Sequence, residues 1–213
     1  MKQNLVVGLA AAVALILGVY LAITIAPPEP EQPEYLQLYP QARELSEFSL
    51  IDQHGETLDK SRLTGKWTLA FVGYTFCPDI CPTTLAELKR IYPELAKIEA
   101  SHPLQVLLLS VDPARDTQER LLEYINFFNP EFIAASGEHA QLFPLVRSMG
   151  MMYAIADDTS NPNYLVDHSA SVVVINPKAQ VIGRFKPQLE PGKLAVSDGQ
   201  QILADMPKLL SSE

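Results

Sequence analysis

The sequence WTLAFVGYTFCPDICP, residues 67–82, carries the strongest signals of the fold, because a strand pattern in it leads directly into the start of a helix pattern. Residues 67–74 form a nearly continuous apolar run, which is typical of a central strand covered on both faces. Pro82 is well placed at a first helical position, because its missing N–H would have no partner there. The apolar residues that follow at helical spacing are Leu85, Leu88, Ile91, Leu95 and Ile98.

Strand and helix patterns alternate on both sides of this junction. The further predicted strands are 48–51, 57–58, 104–111, 132–135, 151–156, 171–176 and 180–185. The further predicted helices include 121–128, 142–149 and 202–210. Residues 116–119 resemble a capping box, and Pro144 must kink its helix or mark its start. With hairpins at the first two and last two strands, this order predicts an α/β fold with a mixed sheet covered by helices on both faces.

The composition limits the function. The chain has 213 residues, 47% of them hydrophobic, which suffices for one domain with a packed core plus an anchor. Its net charge of −9 argues against nucleic acid as the main partner, because nucleic-acid binding needs a basic surface. The two cysteines are too few for a disulfide scaffold, so any role they have lies in local chemistry.

An apolar segment near the N-terminus predicts a membrane anchor. Residues 5–26 are 22 consecutive residues without charge, and as a helix they would span about 33 Å, enough to cross a hydrocarbon core. The apolar part of a cleavable signal peptide is shorter, about 7–15 residues, and Pro27 and Pro28 make a poor cleavage site. We therefore expect an uncleaved anchor, with a cleaved signal as the alternative. No cysteine lies near the segment, which argues against a lipoprotein.

The charges beside this segment predict its orientation. Lys2 precedes it, and beyond it no basic residue occurs until Arg43, which indicates a cytoplasmic N-terminus. A mitochondrial transit peptide would be rich in Arg and Ser, whereas the first 45 residues contain one Arg and no Ser. We expect a single-pass protein of a bacterial inner membrane with its C-terminal domain in the periplasm. The expected parts are a cytoplasmic tip and transmembrane anchor at 1–26, a Pro-rich linker at 27–45, and a folded domain at 46–213.

Cys77 and Cys81 lie where the predicted strand passes into the helix. The amide groups at a helix N-terminus stabilise a thiolate, which is the form of cysteine that attacks disulfides and binds metals. A buried cysteine can also be no more than a small apolar residue, but two of them bracketed by Pro78 and Pro82 favour chemistry. The pair is therefore a candidate redox pair and a candidate metal site.

The spacing of the two cysteines favours a metal over a disulfide. If both were helical, their Cβ atoms at positions i and i+4 would lie about 5–6 Å apart, whereas a disulfide needs about 3.5–4.5 Å. A metal could bind between the sulfurs with little change, but a disulfide requires the segment to remain a loop. We predict that the oxidised and the metal-loaded protein differ in the conformation of this loop.

Two thiolates select a soft metal, and a third, imidazole ligand suits copper or zinc. Structural zinc prefers four ligands, whereas copper(I) accepts three, and the chain has no third cysteine. His54, His102 and His139 fall on a hairpin tip, in a loop and near a helix start, where solvated surface positions explain them. His168 lies in the loop that leads into a core strand, from which it could reach the cysteines. Spacing alone leaves the choice between His168 and the other three open.

Three segments of the sequence resemble the SCO/SenC family. They are residues 71–85 with the motif CPDICP, residues 110–116 (SVDPARD) and residues 166–170 (VDHSA). The resemblance runs from about Phe48 to the C-terminus. It implies a thioredoxin-like mixed sheet flanked by helices, one N-terminal transmembrane helix, and a copper ion bound by Cys77, Cys81 and His168. It also implies cytochrome c oxidase assembly as the role, with the oxidase subunit that carries the dinuclear copper site as partner.

The resemblance favours a copper metallochaperone that delivers copper to this dinuclear centre. The alternative is a thiol–disulfide oxidoreductase that reduces the cysteines of the oxidase copper site, which needs Cys77 and Cys81 but not His168. A thiol peroxidase on the same fold finds no support in the sequence. Enzymatic activity therefore stays open, and a periplasmic copper donor or thiol reductant is a further expected partner.

Four further residues match the family motifs but are not expected to bind copper: Asp79, Asp112, Arg115 and Asp116. Carboxylates are hard donors and suit copper(I) poorly. Asp116 is expected to cap the helix that follows it, and Asp79 the helix after Cys81. Asp167 is a candidate to orient His168 by a hydrogen bond, although a solvated loop acid explains it equally well.

Overall fold

The computed structural model describes residues 2–25, 31–155, 157–192 and 194–210. The chain divides into two compact units, Met1–Gln32 and Pro33–Glu213. The first contains helix α1 (Lys2–Ile25). Among the described residues, α1 is the one helix long and apolar enough to cross a membrane, over Gln3–Ile25, although a signal sequence would meet the same criteria. The predicted N-terminal apolar helix is thus confirmed.

The second unit is built on a large β-sheet. Its strands are β1 (Gln37–Glu44), β2 (Leu50–Asp52), β3 (Thr57–Leu58), β4 (Trp67–Gly73), β5 (Leu104–Ser110), β6 (Ile133–Ser136), β7 (Tyr153–Ala154), β8 (Asp167–His168), β9 (Val172–Ile175) and β10 (Gln180–Phe185). Its helices are α2 (Lys60–Leu63), α3 (Ile80–Leu95), α4 (Gln118–Phe128), α5 (His139–Ser148) and α6 (Gly199–Leu210). Eight strands form the main sheet in the order β1-β10-β9-β4-β5-β6-β2-β3, and β7 and β8 form a separate pair.

Strand β4 lies inside this sheet and is buried at all seven of its positions. It pairs in parallel with β5, from Trp67 with Leu104 to Gly73 with Ser110, and antiparallel with β9. Strand β5 in turn pairs in parallel with β6. A strand buried at every position must be covered on both faces, so the structure confirms the predicted α/β fold with a mixed sheet flanked by helices. The carboxyl ends of β4, β5 and β6 meet at one edge of the sheet.

Residues 37–44 differ from the expectation, which assigned the whole of 27–45 to a linker. They form β1, which pairs antiparallel with β10 at the edge of the sheet. The N–H groups of residues 34–36 just before it donate to the buried carboxylate of Asp205 on α6. Because the side chains of this edge strand are mostly exposed, it has no apolar alternation that could reveal it in the sequence. Residues 27–30 lie outside the described residues.

The expected helix caps were also wrong in part. Thr117, and not Asp116, is the N-cap of α4, and its side chain accepts from a backbone N–H of the first turn. Asp116 is instead buried, and its carboxylate accepts from the N–H and the hydroxyl of Thr75 and from the hydroxyl of Ser110. Asp79 occupies the N-cap position of α3 but makes no capping hydrogen bond through its side chain. Asp116 therefore ties the loop after β4 to the end of β5.

A short ladder of β7 and β8 takes the place of the loop expected around His168. Tyr153 pairs with His168, and Ala154 pairs with Asp167. Residue 156, the last residue of the expected strand 151–156, lies outside the described residues. The ladder gives the backbone of His168 a partner strand and so a defined position.

Candidate metal centre

Both cysteines lie beyond the carboxyl end of β4, as the sequence predicts. Cys77 is half-buried in the loop before α3, whereas Cys81 is fully buried in the first turn of that helix. The backbone N–H of Cys81 donates to the sulfur of Cys77, with an N–Sγ distance of 3.4 Å. First-turn amides have no carbonyl partner within their helix, so the sulfur takes the place of a capping oxygen.

Gly73, the last residue of β4, makes room for the sulfur of Cys81. A Cβ atom at Gly73 would lie 2.6 Å from Cys81 Sγ and 3.1 Å from the ring of Phe71. Both distances are too short for ordinary van der Waals contact, so a side chain at this position would displace the sulfur. The glycine therefore lets Cys81 pack directly on the end of the strand.

The imidazole of His168 completes a group of three donor atoms. Its Nε2 atom lies 3.4 Å from Cys81 Sγ and 3.9 Å from Cys77 Sγ, and the three donors all lie within 4.8 Å of one another. Its Nδ1 atom faces the carbonyl oxygen of Ser169 at 3.3 Å. A proton on Nδ1 would be donated to this carbonyl, which leaves the lone pair of Nε2 free toward the sulfurs.

The two thiols differ in acidity. The hydrogen bond from Cys81, together with those from His168 and from backbone N–H groups, lowers the pKa of Cys77 to about 3. The pKa of Cys81 is raised well above its usual value, because Cys81 donates the hydrogen bond to Cys77 and because it is buried. At neutral pH the pair therefore holds one proton, with the thiolate on the half-exposed Cys77.

Cys77 is expected to react with iodoacetamide at nearly the same rate at pH 5 and at pH 7, because a pKa of about 3 keeps it ionised at both. A cysteine with the ordinary pKa of about 8.5 would react about 100-fold more slowly at the lower pH, since only the thiolate is a nucleophile. Mass spectrometry of the reduced, metal-free protein measures the rate, with the buried Cys81 as an internal control that should label slowly. A rate at Cys77 that falls about tenfold per pH unit would contradict the assignment.

The other three histidines do not join this group. His54 is exposed, as expected. His102 and His139 are half-buried rather than solvated. The Nδ1 atom of His102 lies 3.2 Å from the carbonyl oxygen of Gly65, and that of His139 lies 2.8 Å from the hydroxyl of Tyr153. Within the described part of the chain, the cluster of potential metal-binding side chains contains Cys77, Cys81 and His168. The tertiary structure thus separates His168 from the other candidates.

Tyr74, which sequence reasoning missed as a site residue, supports the segment that carries His168. Its hydroxyl accepts from the N–H of Val166 at 3.2 Å, and its ring meets the imidazole edge to face with the centroids 5.9 Å apart. Asp167, the candidate orienting residue, is exposed, and the carbonyl of Ser169 is the partner of Nδ1 instead. No sequence signal distinguishes Tyr74 from the other apolar residues of the predicted strand.

The arrangement can support two kinds of chemistry. Two sulfur atoms and one imidazole nitrogen are donors that favour soft or borderline metal ions over hard ones. The pair also suits thiol–disulfide exchange, in which the Cys77 thiolate attacks a disulfide and Cys81 resolves the mixed disulfide that results.

Comparison with known proteins identifies the family. The sequence profile described as SCO1/SenC matches residues 37–201. The chain belongs to the SCO1/SenC family. An SCO2-like protein of Rickettsia conorii is 31% identical over 190 residues, which cover 86% of this chain and 91% of that relative. The resemblance seen in the three sequence segments is thereby confirmed.

Solved structures of SCO proteins share the fold. The solution structure of apo Sco1 from Thermus thermophilus has a TM-score of 0.67 and 28% sequence identity, over 86% of this chain and 99% of that one. The crystal structure of Arabidopsis thaliana ScoI with copper bound has a TM-score of 0.61 and 28% identity, over 75% of this chain and 92% of that one. The domain of this SCO1/SenC protein therefore has the thioredoxin-like fold that the resemblance implied.

Proposed function

We propose that this SCO1/SenC protein binds copper through Cys77, Cys81 and His168 and delivers it to the dinuclear copper centre of a cytochrome c oxidase subunit. The observation that carries the proposal is the convergence of two sulfurs and one imidazole nitrogen within 4.8 Å of one another. Cys81 and His168 are 87 positions apart in the chain, so it is the tertiary structure that brings their donor atoms together. The Arabidopsis relative with copper bound supports the choice of metal.

The donor set fits copper(I) better than structural zinc. Structural zinc is normally held by four protein ligands, whereas the group found among the described residues has three. The nearby carboxylates of Asp79 and Asp167 are exposed, and carboxylates are hard donors that suit copper(I) poorly. A site with three ligand atoms also suits an ion that is to be delivered, because a ligand of the recipient protein can bind the ion before a ligand of this protein leaves.

The exposure of the donors supports an order of release. Cys77 and His168 are half-buried, whereas Cys81 is fully buried. Two exposed apolar side chains, Phe76 and Leu165, stand next to the donor-bearing segments, where a partner surface could exclude water during transfer. Ligands of the recipient would therefore replace Cys77 and His168 first, while Cys81 retains the ion until the end.

A second candidate function is thiol–disulfide exchange, which the different acidities of the two cysteines favour. The Cys77 thiolate would attack a disulfide at the oxidase copper site, forming a mixed disulfide and releasing one oxidase thiolate. Cys81 would then pass its proton to the released oxidase thiolate and attack the sulfur of Cys77. This breaks the mixed disulfide, so that both oxidase cysteines end reduced and Cys77 and Cys81 form a disulfide. A periplasmic thiol reductant would have to restore the dithiol. The expected difference between the oxidised and the metal-loaded loop stays a prediction.

Chemical rescue of a strain that lacks the protein tests which function dominates. Delivery predicts that oxidase activity is lost at trace copper and returns when copper is added in excess. Disulfide exchange predicts that added copper has no effect, whereas a membrane-permeant dithiol restores the activity. Full oxidase activity in the strain without any addition would contradict both functions.

We also propose that α1 is an uncleaved anchor in a bacterial inner membrane and that the domain faces the periplasm. The length and composition of α1 support this, together with Lys2 on its N-terminal side. Alkaline phosphatase fused to the C-terminus is expected to be active and to remain with the membranes after washing at high salt. An inactive fusion would contradict the orientation, and an active but soluble one would indicate a cleaved signal.

A further inference from the structure

Arg115 contacts the segment that leads to His168. Its Nη1 atom donates to the carbonyl oxygen of Pro162 at 3.0 Å. Its guanidinium carbon lies 3.4 Å from the ring centroid of Tyr164, which is close enough for the planar group to stack on the ring. Tyr164 is itself buried, so this contact attaches the chain just before β8 to the body of the domain.

The same guanidinium also contacts the loop that carries Cys77. Its carbon lies 4.9 Å from the ring centroid of Phe76, the residue directly before Cys77. It lies 5.6 Å from the ring centroid of Tyr74, whose hydroxyl accepts from the N–H of Val166. The side chain of Arg115 therefore lies between the two segments that supply the donor atoms and touches both.

A buried carboxylate holds Arg115 in this place. Asp112 is fully buried at the end of β5, and its Oδ2 atom accepts from Nε of Arg115 at 2.5 Å. Its other oxygen accepts a short hydrogen bond from the hydroxyl of Tyr164. Hydrogen bonds between ionised groups are stronger and more directional than neutral ones. One carboxylate thus orients both Arg115 and the ring on which its guanidinium stacks.

We propose that Arg115 is a positioning residue that joins the two donor-bearing segments and sets the place of the His168 imidazole relative to the sulfurs of Cys77 and Cys81. The proposal rests on the proposed copper site. A site that is ordered before the metal arrives does not lose conformational entropy when it binds, so the affinity should depend on this contact.

Arg120 provides a matched control on the cysteine side alone. Its guanidinium carbon lies 5.3 Å from the ring centroid of Phe76, and its Nε atom donates to the hydroxyl of Thr75 at 3.2 Å. Its Nη1 atom pairs with Glu123 on α4. Its described contacts therefore involve the cysteine loop and its own helix, whereas those of Arg115 also involve the His168 segment.

The test compares Arg115→Lys with Arg120→Lys in the full-length chain. Lysine keeps the positive charge that the buried Asp112 needs, but it cannot stack flat on the ring of Tyr164 or donate in two fixed directions. Copper(I) affinity, measured by competition with a chromophoric chelator, should fall about 10-fold or more in Arg115→Lys, the size of effect seen for residues that orient metal ligands. It should stay close to wild type in Arg120→Lys.

A double variant separates positioning from general destabilisation. Once His168 is replaced by alanine, Arg115→Lys should cause no further loss of copper(I) affinity, because the group it positions is gone. In the metal-free protein, the amide of Val166 should exchange with solvent faster in Arg115→Lys than in wild type or in Arg120→Lys, since its segment is less firmly held.

Several outcomes would overturn the proposal. One is a copper(I) affinity in Arg115→Lys equal to that of wild type. Another is an equal loss of affinity when Arg115→Lys is introduced into wild type and into His168→Ala. If His168→Ala alone leaves affinity unchanged, the proposed ligand set fails first, which the single variant shows separately. Should Arg115→Lys not fold, Tyr164→Phe is the substitute, because it removes only the hydroxyl that binds Asp112. It should lower copper(I) affinity by a smaller factor, and this loss should disappear once His168 is replaced by alanine. Losses that add in the double variant would contradict the proposal.

Discussion

Replacing Cys77 by serine is expected to abolish copper delivery and disulfide exchange together, so that oxidase maturation is lost. The change removes the one thiolate that the site holds at neutral pH, and a serine hydroxyl is neither a soft donor nor ionised. Copper(I) affinity should fall by more than about 100-fold, because changes around a metal ligand already cost about 10- to 100-fold. Chelator competition measures the affinity, and the oxidase activity of membranes measures the function.

The Cys77→Ser protein should keep its fold, since Cys77 is half-exposed and lies outside the helix. Cys81→Ser is less informative, because it would place a hydroxyl among apolar groups at a fully buried position. The thermal unfolding midpoint of the metal-free protein, expected to match that of wild type, is the control. Normal oxidase maturation by Cys77→Ser would contradict both proposed functions.

Replacing His168 by alanine is expected to separate the two functions. Copper(I) affinity should fall by about 10- to 100-fold or more, because the imidazole is one of three donors. Disulfide exchange should persist, because the hydrogen bond from Cys81 is the largest cause of the low pKa of Cys77 and is retained. Copper content of the purified chain and reduction of a disulfide peptide, measured on the same sample, give the two readouts.

His102→Ala is the matched control for this change. His102 is also half-buried, with its Nδ1 atom 3.2 Å from the carbonyl oxygen of Gly65, but it lies outside the donor group. It should retain wild-type copper content. Unchanged copper content and oxidase assembly in His168→Ala would remove the delivery mechanism and leave disulfide exchange as the function.

The central part of the fold could be predicted because its signals are local. The apolar run of β4, the helical spacing of α3 and the hairpin of β9 and β10 all depend on neighbouring residues. Strand β1 could not be predicted, because it is held by the backbone of β10 and not by an apolar pattern of its own. The role of Asp116 was hidden for a similar reason, since its partners come from two other parts of the chain, Thr75 from the loop after β4 and Ser110 from the end of β5.

The two cysteines of the site could be predicted from their place between a strand and a helix, whereas the third donor could not be selected from spacing. His168 reaches the sulfurs because β8 pairs with β7 and because Tyr74 holds the segment before it. These are tertiary contacts without a periodic signal. The resemblance to a family indicated His168, and the structure brings its imidazole next to both sulfurs.

X-ray absorption at the copper edge of the full-length chain, loaded with one copper(I) ion, tests the proposed ligand set most directly. The expected spectrum contains two sulfur neighbours and one nitrogen neighbour, with outer scattering from an imidazole ring that disappears in His168→Ala. A spectrum without sulfur neighbours, or an imidazole signal that persists in His168→Ala, would contradict copper binding by Cys77, Cys81 and His168.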